Sequence, residues 1–354
     1  MQGEQEIDDL LDETDDPIPF RYSIISYGVD YPVDGLVKRI QMGDIAIPSF
    51  QRGFVWSLRE ASRFVESLLL GLPVPSIFLS KEADTEKLLV IDGQQRLLTL
   101  MHFHEGLWPI TQKAFALKGI TPQYEGFTYK QLPSEAKRRL ADSIIHAIIV
   151  RQDQPSQDSS SIYHIFERLN TSGVSLTPQE IRTAIYHGQF SQLLKALNKN
   201  SSWRAIYGPP NRLMRDQELI LRFLALYYQG QSYSRPMKGF LNDFMSQNRH
   251  LEEASAAEMG GKFSSTIDFV YSAIGKRAFK FSRVLNAALF DSIMVGLARR
   301  LAKGEIRNTT EVVKKYDDLI QSSEFREVAE RSTADEENVS TRIALATQAF
   351  DQVQ

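Results

Sequence analysis

Apolar and polar positions alternate in two different rhythms along this chain, and the change of rhythm predicts its organisation. From Arg21 to about Ile149, short apolar runs are separated by helical patterns. Tyr22 to Gly28 reads as a strand, Val33 to Gln41 as a short helix, and Ile45 to Ile47 as a brief extended piece ended by Pro48. Ser57 followed by Glu60 is a capping box, and behind it Leu58, Ala61, Val65, Leu68, Leu69 and Leu72 recur at helical spacing until Gly71 and Pro73 stop the pattern. Ile77 to Ser80 and Leu88 to Ile91 read as strands joined by the polar loop Lys81 to Lys87. Asp92-Gly93 then turns the chain into a helix from Gln94 to about His104. Ser134 to Asp142 reads as a helix, and Ile144 to Val150 as a central strand interrupted only by His146.

The segment Gln152 to Ser161, rich in Gln, Asp, Ser and Pro, reads as a loop and is the best internal boundary. Beyond it the pattern is helical: Ile162 to Leu169, then Thr177 to His187, with Thr177 as cap, Pro178 at the first helical position and Glu180 closing the box. Further amphipathic segments cover Gln217 to Tyr228, Met237 to Gln247, Phe263 to Ile274, Val284 to Leu301, Glu311 to Gln321 and Ser340 to Phe350. These patterns predict an α/β (α+β) fold with a leader over 1–20, an α/β core over 21–150 and a helical region over 151–354. The first part of that region, 162–187, is expected to complete the pocket.

Composition narrows the class. With 354 residues, 42% of them hydrophobic and 24% charged, the chain is an ordinary globular one, large enough for about two domains. No stretch approaches the roughly 18 uninterrupted apolar residues of a membrane span. The absence of cysteine removes disulfides, thiolate zinc sites and cysteine nucleophiles, and together with an acidic start unlike a signal peptide it predicts a cytoplasmic protein. The net charge is −3, yet eight acidic residues precede Arg21; without them 36 acidic residues face 41 basic ones, a balance of +5. That balance permits contact with a polyanion but is well short of a dedicated DNA-binding surface. The leader reads as a solvated, disordered tail, with an intramolecular mimic of nucleic acid as the alternative.

Three segments could carry chemistry. In Val90 to Leu100, a strand delivers Asp92 into a glycine turn and a helix. Such a junction offers backbone N–H groups and a positive dipole end to an anion, and Arg96 adds a phosphate fork. Asp92 could hold Mg²⁺ or orient a water, and Gln94 and Gln95 could position that water or contact a base or sugar. The plainer reading of Asp-Gly before a helix is a turn and cap. In Ile47 to Trp56, Gln51 and Arg52 lie among three aromatics, which suits base stacking with a phosphate contact or, more simply, packing of Trp56 on the helix that follows. In Ile165 to Leu176, Asn170 to Gly173 reads as a helix end with a linking turn, or as small polar groups closing over a nucleotide. No G-x-x-x-x-G-K-[ST] loop occurs, since Gly260-Gly261-Lys262 is followed by Phe263. No H-E-x-x-H occurs either, and His102 and His104 read as exposed or core residues rather than ligands.

The order and spacing of these three segments resemble the N-terminal domain of GmrSD-type modification-dependent (type IV) restriction systems. The family's hallmarks are I-P-x-F-Q-R-x-x-x-W, D-G-Q-Q-R and F-x-x-x-N-x-x-G-x-x-L, which stand here as Ile47 to Trp56, Asp92 to Arg96 and Phe166 to Leu176. The resemblance spans about Ile24 to Tyr228. It implies a ParB/sulfiredoxin-like core that binds a nucleoside triphosphate. Asp92 would be the metal (Mg²⁺) or water partner, Gly93 the close-approach glycine, Gln94 and Gln95 the positioning amides, and Arg96 a phosphate ligand. Gln51, Arg52, Arg168, Asn170 and Ser172 would complete the pocket. It implies an NTP-hydrolysing protein of anti-phage or restriction type. The alternatives are a non-catalytic nucleotide-gated module that binds DNA or protein and, third, a Mg²⁺-dependent DNA nickase. The expected partners are nucleotide, DNA bound weakly without nucleotide, and a partner nuclease or defence protein. One departure matters: many members continue into a nuclease domain with an H-x-x-P motif, and after Leu176 only His187 and His250 remain, neither in that pattern.

Overall fold

A computed structural model of the chain describes residues 7–8, 23–47, 54–81, 86–154, 163, 165, 167 and 177–354. The chain divides into two compact units, residues 20–176 and residues 177–354 with 1–19. Both the mixed α/β character and the helical second half expected from the sequence are present.

The short strand β1, Ile7–Asp8, belongs to the helical unit and is treated with it below. The first unit is built on a sheet of five strands. They are β2 (Ser23–Pro32), β3 (Ile45–Ala46), β4 (Ile77–Lys81), β5 (Leu88–Asp92) and β6 (Ile144–Gln154), in the order β2-β6-β4-β5-β3. The pairings β2/β6 and β4/β5 are antiparallel, while β4/β6 and β3/β5 are parallel. Strand β6 runs past Gln152, where the composition predicts a loop, because β2 stays paired with it as far as Ser23 opposite Gln154. A partner strand remote in sequence here overrides local composition.

Four helices, α1 (Val33–Met42), α2 (Leu58–Leu69), α3 (Gln94–Glu105) and α4 (Ser134–Asp142), share one core with alternate strand residues Ile77, Leu79, Val90, Ile145, Ala147 and Ile149. Residues two apart on a strand share a face, so these helices cover one side of the sheet. Helix α1 ends where Gly43, at φ 77°, lets its own N–H and that of Asp44 return to Ile40 and Arg39 carbonyls. Helix α2 starts on the expected capping box: Ser57 accepts from the Glu60 N–H and Glu60 accepts from the Ser57 N–H. It stops at Leu69, so Leu72 lies beyond its apolar face and is exposed.

The second unit packs its helices around Ala287–Leu301, whose residues are buried almost throughout. Gly296 lets Glu336–Asp351 approach: a Cβ at this glycine would lie 2.9 Å from the Ala346 carbonyl carbon. Three short helices escape the sequence pattern, Gln189–Leu197, Ser201–Tyr207 and Ser323–Glu330. The last two begin on Asn200 and Ser322, which cap the N–H groups of Trp203 and Phe325. Ala256–Ala273 starts earlier than its apolar period suggests and contains Gly260 and Gly261 inside the helix. Leu285–Asn286 forms a short parallel strand (β7) with β1, and Asn286 then caps the central helix.

Candidate functional site

The D-G-Q-Q-R segment folds as a strand, a one-residue turn and a helix. Val90 is buried in the sheet, Asp92 closes β5 opposite Phe78 with its side chain half exposed, and Gly93 turns the chain at φ 98° into α3. Two conditions require glycine here. The backbone is left-handed, and a Cβ would sit 2.4 Å from Ile77 Cγ2 and 3.3 Å from Arg96 Nε. The close approach at this glycine is therefore made by the protein's own β4 side chain and by Arg96, which folds back over the turn.

Glycine leaves α3 without a side-chain cap, and its first turn holds no acidic residue. The first N–H groups of a helix have no intrahelical acceptor and carry the positive end of its dipole. Arg96, one turn in, donates from Nη2 to Asp92 Oδ2 at 2.7 Å; its side chain is only 12% exposed against 50% for Asp92. An exposed carboxylate, a largely buried guanidinium and an uncapped helix start thus meet within five residues. Gln94 is half-buried on the same turn.

Gln95 links this turn to the second motif. Its Oε1 accepts from the Val55 N–H at 3.0 Å and from the Trp56 N–H at 3.3 Å, tying the end of the Ile47 to Trp56 segment to the first turn of α3. Phe54 stands edge-on to Trp108 at 5.1 Å and to His102 at 5.6 Å, and Trp56 edge-on to Phe64 of α2 at 5.7 Å. For these two aromatics the packing reading holds. Gln51 and Arg52 lie outside the described residues, as do Arg168, Asn170 and Ser172. Of the third motif's surroundings, Ile165 and Glu167 are helical.

Among the described residues no group of three His, Asp or Glu side chains comes together to hold a metal ion. Asp92 therefore fits only the kind of Mg²⁺ site that uses one or two carboxylates and shares the ion with phosphate oxygens. A cavity beside the other end of α3, lined by Val37, Leu100, Phe103, His104 and Tyr129, measures about 10 Å³, room for no more than one water. His102 and His104 are half-buried and pack against Phe54 and Tyr129.

The structure adds a pair that the sequence reading did not single out. His146 Nδ1 lies 2.8 Å from Asp30 Oδ1 on a solvent-facing part of the sheet, and its ring occupies the space over Gly28, where a Cβ would meet Cε1 at 2.7 Å. The signal in the sequence was a lone histidine in an apolar strand. Gly28, Ile148, Phe78 and Asp92 form one row across the sheet, and the pair lies two residues along from it, His146 two strands and Asp30 three strands, or roughly 14 Å, from the strand of Asp92.

A sheet covered by helices on one face, with a strand, glycine turn and uncapped helix at its end, defines an α+β domain built to present the start of α3. Residues 33–187 match the family model of the GmrSD restriction endonuclease N-terminal domain. The matched region extends into the helix Pro178–Ile185. The chain is also similar to an uncharacterized protein of Methanocaldococcus jannaschii, 30% identical over 116 residues, covering 26% of this chain and 19% of that protein. It thus spans about a fifth of that relative's length. No described helix is long and apolar enough to cross a membrane.

Proposed function

We propose that the turn from Asp92 to Arg96 binds the phosphates of a nucleoside triphosphate and hydrolyses it as part of a restriction or anti-phage response. The observation that carries this reading is the uncapped start of α3 with Arg96 folded over the Gly93 turn onto an exposed Asp92. The N–H groups of the first turn and the Arg96 guanidinium hold phosphate oxygens. Arg96 exchanges one anionic partner for another as it does so. Asp92, released from Arg96, would hold Mg²⁺ together with the phosphates, and the ion would neutralise charge on the transferred group. Gln94 orients the attacking water, and Gln95, accepting from the Val55 and Trp56 N–H groups, ties that segment to the turn. Any cutting of DNA would fall to this core or to a partner nuclease or defence protein.

The test is phosphate release by purified protein with each of the four nucleoside triphosphates and Mg²⁺, with and without DNA. Asp92→Ala should abolish turnover while leaving binding measurable, since a metal or water partner acts mainly on the transition state. Arg96→Ala should weaken binding by about one to two decades, the equivalent of a charge-assisted contact of roughly 1.5–3 kcal/mol. Hydrolysis that persists in Asp92→Ala reduces Asp92 to a turn residue. Binding without turnover, with DNA held more tightly in its presence, makes the domain a nucleotide-gated module.

A further inference from the structure

We propose that β2 is a homodimer edge, along which two copies of this chain pair antiparallel and join their sheets into one. The strand is 10 residues long and stands last in the sheet order; among the described residues its one strand partner is β6. Ile25, Ser26, Tyr27 and Gly28 are all exposed in succession, which opens both faces of the strand and the edge between them. Ile25 is 39% and Tyr27 42% exposed, large apolar side chains lying beyond the cover that the helices give to Val29 and Tyr31.

Edge strands of soluble proteins are normally blunted by short length, lysine, internal proline or a bulge. Over Ile24 to Tyr31, β2 has none of these: its proline is the last residue, and its register shift falls at Ser23/Ile24. Its single charge, Asp30, is already held by His146.

A second copy fits this edge because the strand is complementary to itself. With Tyr27 opposite Tyr27 of the other copy, Ile25 faces Val29 and Val29 faces Ile25, an unbroken row of aromatic and β-branched cross-strand pairs. On the other face Ser26 meets Gly28, so a small residue lies beside the His146 ring that covers that glycine. No like charges are brought together.

The chain has no cysteine, so Tyr27→Cys introduces a single thiol that this register sets opposite its copy. Facing residues in antiparallel strands have Cα atoms about 4.5–5.5 Å apart, inside the range of a disulfide. Mild oxidation of the full chain should give a covalent dimer, whereas Met42→Cys, on exposed α1, should not. In sedimentation velocity, Tyr27→Lys should weaken association by more than about tenfold, because it opposes two like charges. Met42→Lys should leave association unchanged. If Tyr27→Lys fails to fold by circular dichroism, Ser26→Lys tests the same edge, because it sets a lysine against Gly28 and the His146 ring of the other copy and diagonally across from its own lysine. A wild-type chain that stays monomeric at its highest soluble concentration overturns the proposal. So does a dimer that neither lysine weakens.

Discussion

The chain pairs arginine with aspartate in two settings, and the settings differ more than the pairs. In the α+β unit, Arg96 and Asp92 meet at 2.7 Å on the first turn of α3, with the carboxylate half in water. In the helical unit, Arg222 and Arg342 converge on Asp291 at 2.6 Å and 3.3 Å, and both Asp291 and Arg342 are wholly buried. Burial pushes the Arg342 guanidinium down to about 10, with Asp291 pulling the other way. Arg96 is as buried as Arg222, but water reaches the Asp92 carboxylate and can solvate it when it is released, so a phosphate can take its place on the guanidinium. The second has no solvent to replace a lost partner, so it holds Arg215–Gln229, Ala287–Leu301 and Glu336–Asp351 together. Depth, rather than residue type, decides which pair is exchangeable.

The largest effect that would sharpen this contrast is in the buried cluster. Asp291→Ala should cost about 3–5 kcal/mol in urea unfolding, the range for removing one partner of a buried ion pair. A loss below ~1 kcal/mol would mean that solvent reaches the cluster, and the contrast would fail. Next comes Gly93→Ala, which combines a left-handed backbone with a Cβ 2.4 Å from Ile77. It should destabilise the chain by about 1–3 kcal/mol and weaken nucleotide binding with it. Arg96→Ala should cost less stability than Asp291→Ala, because the Asp92 carboxylate it leaves behind is half in water, even as it weakens nucleotide binding. A large stability loss there would mark the Asp92–Arg96 pair as structural.

The smallest effect concerns His102. Burial, opposed by Glu105 at 3.5 Å, holds its pKa below the ordinary 6.5. Below pH 6.5 the unfolded chain therefore binds a proton that the folded chain does not, and stability falls as pH drops through that window. His102→Gln should make the melting temperature less sensitive to acid. An unchanged acid slope would place the sensitivity in other groups.

Much of the candidate site was legible because its signals are local. The Ser57/Glu60 and Thr177/Glu180 boxes, the proline at the start of the second, and Gly93 between strand and helix all act within a few residues. The clamp of Gln95 on Val55 and Trp56 was not legible, because its partners are 40 and 39 residues away. Nor was the role of Arg182, which reads as an ordinary helix position but is buried with bonds to Gln179, Glu218 and Asn242.

The sequence by itself determined where the helices Leu58–Leu69 and Pro178–Ile185 begin and which residues turn the chain at Asp92-Gly93, since caps, proline and a left-handed glycine depend on dihedral angles and neighbours a few residues apart. It also carries the order of three segments on which the resemblance to the restriction-system family rests. Only the tertiary structure decided that β2 lies at the sheet's edge, that Ile77 packs against Gly93, and that Arg96 is held by Asp92 while Arg342 is sealed around Asp291. These outcomes depend on which surfaces lose water when remote segments meet, and no local pattern encodes that.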